Sequence, residues 1–408
     1  MTGSIITKRL VFHVGGYDFM PPDVMHRRFT RELRRFEATW SVTARAAEPV
    51  VGADEASWPV VTQGPNWRVE TEYRVVRWDD VIAEAGRQPM WRRIRLGLVA
   101  FADFVTSGAL FGYLRSNWRY AAFFLYPYLL FAALTALAAL AGSLAGAAAG
   151  STVLGLLAGA AVFLALLYGP GRWCYLPHLF DDWIFARDYV RGSDPTLDQR
   201  LDRVAGAIVA AARGGEADEI VVVAHSLGAV LAVDILDRAL RLDPLLGRTR
   251  PLALLTVGSS ILKIGFHRGA TRLRNAMARV AQAPHVFWGE YQALTDVMNF
   301  YKSDPVAVLG LPGRGPLVRV VRISRMLQPA TYRRFRRNFF RVHCQFVSAN
   351  DLRAAYDYFM MVCGPLPVET QVRSADGAVT AIGADGSLDV PQHEEPPPRH
   401  AGLRVAVS

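Results

Sequence analysis

The sequence predicts an α/β fold: a mostly parallel sheet with helices on both faces, into which a two-helix membrane hairpin is inserted. Three observations carry this reading. Short apolar runs alternate with amphipathic helical stretches along the chain, the pattern of a parallel sheet buried between helical layers. A central block is devoid of charge. One apolar run passes through a small-residue turn directly into a second apolar stretch.

The elements follow in order. Residues 9–14 (RLVFHV) form a short apolar run ending at Gly15-Gly16, as a buried strand does. Residues 26–40 place Phe29, Leu33, Phe36 and Trp40 on one helical face. Residues 41–46 and 70–78 read as further strands. In 196–213, Leu197, Leu201, Val204, Ile208 and Ala211 recur at helical spacing. The runs 219–224, 252–257, 285–291 and 317–323 complete the strands, and 351–362 reads as a late helix. Beyond Gly364, Pro, Gly, Asp and Glu dominate and periodicity is lost, so 365–408 is expected to be a disordered tail.

The 408 residues are 51% hydrophobic and 20% charged, with a mean hydropathy of +0.16 and a formal net charge of +10. So apolar a chain is not disordered throughout. With 34 glycines in no triplet repeat and only 3 cysteines, it is neither collagen-like nor a disulfide scaffold. The apolar excess is local: residues 120–171 contain no Asp, Glu, Lys, Arg or His. A membrane helix needs about 20 apolar residues, so this block accommodates two, over about 120–141 and 152–168, with a Gly/Ala/Ser turn at 142–151. Trp118, Tyr120, Tyr126 and Tyr128 gather near the first helix's start, and Tyr168, Trp173 and Tyr175 near the second's end, as interfacial belts do. A buried hairpin in a soluble core is the competing reading, but soluble helices of this length carry a polar stripe. Arg87, Arg92, Arg93, Arg95, Arg115 and Arg119 precede the block, and Arg172, Arg187 and Arg191 follow it. The positive-inside rule then places both chain ends in the cytoplasm, with only the turn across the membrane. No apolar run near the start reads as a signal peptide, and three scattered cysteines fit a reducing compartment. The expected location is a multi-pass site in a bacterial inner membrane.

The chemistry-bearing stretch is Glu219-Ile-Val-Val-Val-Ala224-His225-Ser226-Leu227-Gly228-Ala-Val-Leu-Ala-Val233. It reads as strand, sharp turn and helix. Small residues two before and two after Ser226 let the strand and helix approach each other. A turn in a nucleotide-binding βαβ unit is the bland alternative, and that would call for more glycines. The stretch resembles the G-x-S-x-G nucleophile elbow of the α/β-hydrolase superfamily, with Ala224 at the first small position. The resemblance is to lipase- and esterase-like bacterial serine hydrolases, here with an inserted transmembrane hairpin, and it implies the α/β-hydrolase fold with Ser226 as nucleophile.

A serine hydroxyl needs a base and an orienting acid, and the superfamily order is Ser, acid, His. His343, His393 and His400 lie far enough downstream; the last two belong to the polar tail, so His343 is the expected base. His285 enters a strand and reads as structural, and His225 reads as a packing or hydrogen-bonding partner of the turn. For the acid, Glu290 falls within a strand, while Asp296 lies in the loop leaving it, where lipase-like relatives place theirs. Asp304, just before Pro305, is the alternative acid, or merely a helix-terminating residue. The resemblance implies an oxyanion hole built from the Leu227 N–H and a donor in the His13-Val-Gly15-Gly16-Tyr17-Asp18 loop. Gly16 and Tyr17 are both candidates, and a plain β-to-α connection is the alternative reading of that loop.

The expected organisation is therefore an N-terminal part of the hydrolase domain at 1–90, an interfacial segment and hairpin at 91–195, the remainder of the domain at 196–364, and the tail at 365–408. The span 47–195 reads as an insertion relative to a minimal hydrolase, and residues 91–104 as basic and apolar enough to lie in the headgroup layer. From Pro305 to Asn350 there are nine arginines and no carboxylate. The peak at 332–341 alternates arginine with aromatics. Without an accompanying recognition module no nucleic-acid partner is expected; anionic headgroups suit it better, and a solvated loop is the third reading. No metal site or cofactor is expected. The expected activity is cleavage of a carboxylic ester, with a lipid or acyl ester as substrate and the lipid bilayer as partner; the same residues could transfer the acyl group to an alcohol. The alternative is a catalytically silent membrane scaffold or binding protein.

Overall fold

The computed structural model describes residues 5–192 and 194–389. Its centre is a nine-stranded mixed sheet in the order β2-β4-β5-β1-β6-β7-β8-β9, with β3 beside β4. The strands are β1 (Lys8–Val14), β2 (Thr43–Ala46), β3 (Val50–Val51), β4 (Glu55–Gln63), β5 (Arg68–Val76), β6 (Glu219–His225), β7 (Leu252–Val257), β8 (Val286–Ala293) and β9 (Leu317–Val321). From β5 through β1, β6, β7 and β8 to β9 every neighbouring pair is parallel. The β2, β3 and β4 pairings are antiparallel.

The sequence patterns explain these placements. All of β6 and β7 is buried, as the uninterrupted runs IVVVA and LALLTV require of strands covered on both faces. Successive residues face opposite layers: Ile220, Val222 and Ala224 enter one core, Val221 and Val223 the other. Strand β4 instead alternates buried and exposed positions. The sequence reading passed over it, because Pro59 interrupts the run and Gly52 and Gly64 flank it. Residues 50–76, part of the span 47–195 expected to be an insertion, supply β3, β4 and β5 of the sheet.

Eleven helices frame the sheet: α1 (Pro22–Trp40), α2 (Asp79–Arg87), α3 (Met90–Thr106), α4 (Ala109–Ser116), α5 (Trp118–Ala149), α6 (Thr152–Leu166), α7 (Leu176–Arg191), α8 (Pro195–Gly214), α9 (Gly228–Leu242), α10 (Ile261–Gly265) and α11 (Thr271–Gln282), with shorter helices among the residues that follow. The root of α5 and helices α3, α7, α8, α9 and α11 share one core; α1 and the chain after β9 share the other.

Two helical stretches, Trp118–Ala149 and Thr152–Gly171, are long and apolar enough to cross a membrane. Helix α5 spans 32 residues, and its first turns are not available to lipid. Tyr120 and Tyr128, expected among the interfacial aromatics, are buried against the domain together with Phe124, and Phe101 and Phe180 pack on Tyr128. From Leu129 onward α5 carries exposed leucines, and that remainder rises about 30 Å at 1.5 Å per residue, the thickness of a hydrocarbon core. The expected turn at 142–151 is helical up to Ala149; only Gly150, in the left-handed region at φ 60°, and Ser151, whose side chain caps Leu154, make the reversal. Small residues that look turn-forming instead bring the two helices together: a Cβ on Gly142 would lie 2.7 Å from the Gly155 carbonyl oxygen and 2.9 Å from Gly159 Cα.

The tail expectation also changes. Pro365 to Asp389 packs on the second core, burying Val368, Val372, Ala378, Ile382 and Leu388. Hydrogen bonds rather than periodicity hold it: buried Arg9 pairs with Glu219 and donates to the Gly364 and Leu366 carbonyls, and Trp67 donates to Gly386. Residues 390–408, with His393 and His400, lie outside the described residues. The late helix is shorter than expected, at Tyr358–Cys363, with Asp357 as its N-cap accepting from the Met360 N–H; the chain before it is held in a loop, where Asn350 donates to the Tyr356 carbonyl. Substituting Gly142→Leu should separate α5 from α6 at a cost of about 1–3 kcal/mol. Thermal unfolding in detergent checks this, with Leu140→Ala on the exposed face of α5 expected to remain near wild type.

Candidate functional site

The site lies at the carboxyl ends of β1, β6 and β8, where ligands bind in open parallel sheets. Ser226 leaves β6 with φ 56°, a left-handed conformation that non-glycine residues hold only when their surroundings impose it. Those surroundings are tight. The Ser226 N–H donates to Val257, and the Ser226 carbonyl accepts from Ala229 and Ser260. A Cβ on Gly228 would stand 2.3 Å from the Gly15 carbonyl oxygen, and one on Gly16 would stand 2.9 Å from Ser226 Cβ. The turn after β6 and the loop after β1 are thus pressed together, with Leu227 at the N-terminal boundary of α9.

His343 ends the short helix Phe339–His343. Its Nδ1 lies 2.7 Å from Asp296 Oδ2, and both side chains are almost wholly buried. The other Asp296 oxygen accepts the Met298 N–H, and Asn299 braces the loop by donating to the Ala293 and Asp296 carbonyls. His343 Nε2 is buried with no hydrogen-bond partner among the described residues, and His343 lines one cavity together with Ser226. Asp304 is elsewhere engaged: its carboxylate caps Val306 and Ala307 at the start of a short helix. Glu290 lies within β8, bonded to Thr256 and Gln292, and burial raises its carboxyl to about 7.

Two further histidines of the site, His225 and His13, are held by packing and hydrogen bonds. His225 stacks on His343 with ring centroids 4.4 Å apart, and its Nε2 lies 3.2 Å from the His343 carbonyl oxygen. Burial holds its pKa well below the usual value, with His343 and Arg28 adding to the effect. His13 lies 2.9 Å from the Tyr358 hydroxyl and is pushed down to about 3 by burial and by Arg28. Both therefore stay neutral. Of the two loop residues expected near the site, Gly16 abuts Ser226, while Tyr17 packs its ring on Trp78 and Phe185, and its buried hydroxyl has no hydrogen-bond partner among the described residues.

Two cationic residues of the cavity escaped the sequence reading. Lys263, one of only three lysines, is buried, bonds to Asp182 and sits 4.0 Å from the Trp183 ring centroid. Arg28 donates to the Cys344 carbonyl and to Ser348 Oγ at 3.3 Å. Neither belongs to a motif, and only tertiary contact brings them to Ser226. The hairpin also meets the site: Tyr120 and Phe123 of α5 line the same cavity, beside Phe339 and Phe340. At its base, Asn117 donates to the Asn299 carbonyl, Arg119 donates to Leu294, and Tyr120 stacks on Phe300 at 4.0 Å. The loop carrying Asp296 is therefore fastened to the start of α5.

Two outcomes are expected. Gly228→Ala should cost about 2–4 kcal/mol in denaturant unfolding, because the backbone it strikes cannot retreat. The second concerns pH. His13 remains neutral in the folded chain down to about 3 but takes up a proton near 6.5 when unfolded, so stability should fall as pH drops from 6.5 toward 3. Unfolding midpoints across that range should decline less steeply in His13→Gln.

No family model, no curated protein and no solved structure matches this chain, so a functional reading rests on the arrangement of its residues.

Proposed function

We propose that this chain is a membrane-anchored serine hydrolase of the α/β-hydrolase fold that cleaves a carboxylic ester, with acyl lipids as its substrate class. One observation carries the reading: a buried, carboxylate-oriented imidazole and a serine held at φ 56° after a parallel strand face a common cavity. Serine acyl transfer requires these parts. The charge-free hairpin supports the membrane setting, and the arginines flanking it support a cytoplasmic catalytic domain.

In this mechanism Ser226 Oγ attacks the ester carbonyl while His343 Nε2 takes its proton. Asp296 stays ionised, holding the Nδ1 proton and stabilising the imidazolium. The oxyanion accepts hydrogen bonds from the Leu227 N–H and from Gly16 or Tyr17 in the adjoining loop. Collapse breaks the ester C–O bond, and the departing alcohol takes the proton from His343. Water then gives a proton to His343 and attacks the acyl-serine, releasing the acid and restoring Ser226. An alcohol in place of water makes the second half an acyl transfer.

Fluorophosphonate labelling of the full chain in detergent tests the reading. Wild type should label at Ser226, and Ser226→Ala should not. Asp296→Asn should slow ester turnover by about 10⁴-fold, whereas Asp304→Asn should leave the rate near wild type. Folded protein that resists labelling would sink the enzyme reading and leave the silent scaffold.

A further inference from the structure

We propose that the arginine-rich segment Pro329–His343 docks on anionic lipid headgroups and forms the lipid-facing lip of the candidate site. The inference rests on the membrane setting of the hairpin and deepens the hydrolase reading by locating its substrate in an anionic bilayer surface.

The charge pattern comes first. Arg333, Arg334, Arg336, Arg337 and Arg341 are all exposed. Among the described residues no carboxylate pairs with any of them, and the nearest sequence, from Pro305 to Asn350, supplies none. Some arginines elsewhere are neutralised by clustered carboxylates, as where Arg238 meets Asp198, Asp202 and Asp234 and Arg203 meets Asp54; here five exposed arginines fall within nine residues with none. An unpaired cluster of this kind calls for an external counter-charge, and phosphate is the natural partner of guanidinium.

Position then selects the partner. The aromatics between these arginines turn inward. Phe335 is buried; Phe339 packs on Phe123, Tyr126 and Tyr175; Phe340 stacks on Tyr175. Phe123 and Tyr126 lie on α5 within two turns of Leu129, where the helix becomes exposed. Along the helix axis that interval is about 5–9 Å, comparable with the headgroup layer on one side of a bilayer. The arginines therefore stand where phosphates would be if the hairpin is inserted, and juxtamembrane guanidinium groups gain about 1 kcal/mol each from an anionic surface.

The same segment borders the chemistry. Phe339 and Phe340 line the cavity of Ser226, and His343 is the last residue of the helix that Phe339 begins. Headgroup docking would thereby steady the helix carrying the imidazole and open the cavity toward the lipid surface.

Hydrogen–deuterium exchange of the full chain in lipid nanodiscs tests this. Discs of phosphatidylcholine are compared with discs that also contain phosphatidylglycerol. Exchange across 329–343 should slow severalfold in the anionic discs, revert at high salt, and show no slowing when all five arginines are changed to Gln. Changing them to Lys should restore part of the protection. Equal exchange in both kinds of disc, or protection in neutral discs by a single-stranded oligonucleotide rather than by phosphatidylglycerol, overturns the proposal. Should the glutamine variant fail to fold, the salt and lipid series on the wild type decides alone. Fluorophosphonate labelling of Ser226 is read separately, so failure of lipid docking and failure of the hydrolase reading are distinguishable.

Discussion

Everything at the site depends on how closely three pieces of backbone approach one another. The end of β6, the start of α9 and the loop after β1 meet with no room for a Cβ at Gly16 or Gly228. That crowding lets neighbouring backbone over-determine the turn and hold Ser226 in the left-handed region. Parallel pairing of β1 with β6 and of β6 with β7 sets the register that brings these pieces together. A small residue on either side of Ser226 is thus a packing requirement first and a chemical one second.

The hairpin is part of this architecture rather than an appendage. Its lower turns are domain core: Tyr120, Phe124 and Tyr128 are buried beside Trp183 and Phe180. Asn117 and Arg119 tie its base to the loop that carries Asp296. The start of α5 is thus joined through that loop to the one short hydrogen bond that orients His343. The upper part, where small residues of α5 and α6 interlock, makes no such ties among the described residues and presents leucines outward.

Buried charges mark the other joints. Arg9 and Glu219 sit on adjacent strands, and burial raises the Glu219 carboxyl even as Arg9 pulls it down. Such a pair contributes little net stability compared with apolar residues, but losing either member leaves a charge stranded. Its use here is positional: the same guanidinium holds the chain after Gly364 against the sheet. Lys263 and Asp182, both lining the cavity, join α10 to α7 in the same way.

By itself the sequence determined what depends on neighbours along the chain. The central strands, the charge-free hairpin and the turn at Ser226 are contiguous signals, and a strand covered on both faces is recognisable from its apolar run. What lies far apart in sequence required the fold. Asp296 and Asp304 both follow β8, and Asp296 is preferred in sequence only by its place in the loop; contact with His343 distinguishes it, since Asp304 is occupied by its own helix. Small residues at 142–149 read as a turn in isolation and as a helix interface once α6 is opposite them. The ordering of 365–389 was illegible because carbonyls carry no side-chain signature, and Arg9, Trp67 and Arg353 reach them from distant segments. Periodicity reports which face of an element is buried; only tertiary structure decides which distant polar group meets it there, because hydrogen bonds depend on position and direction whereas hydrophobic burial does not.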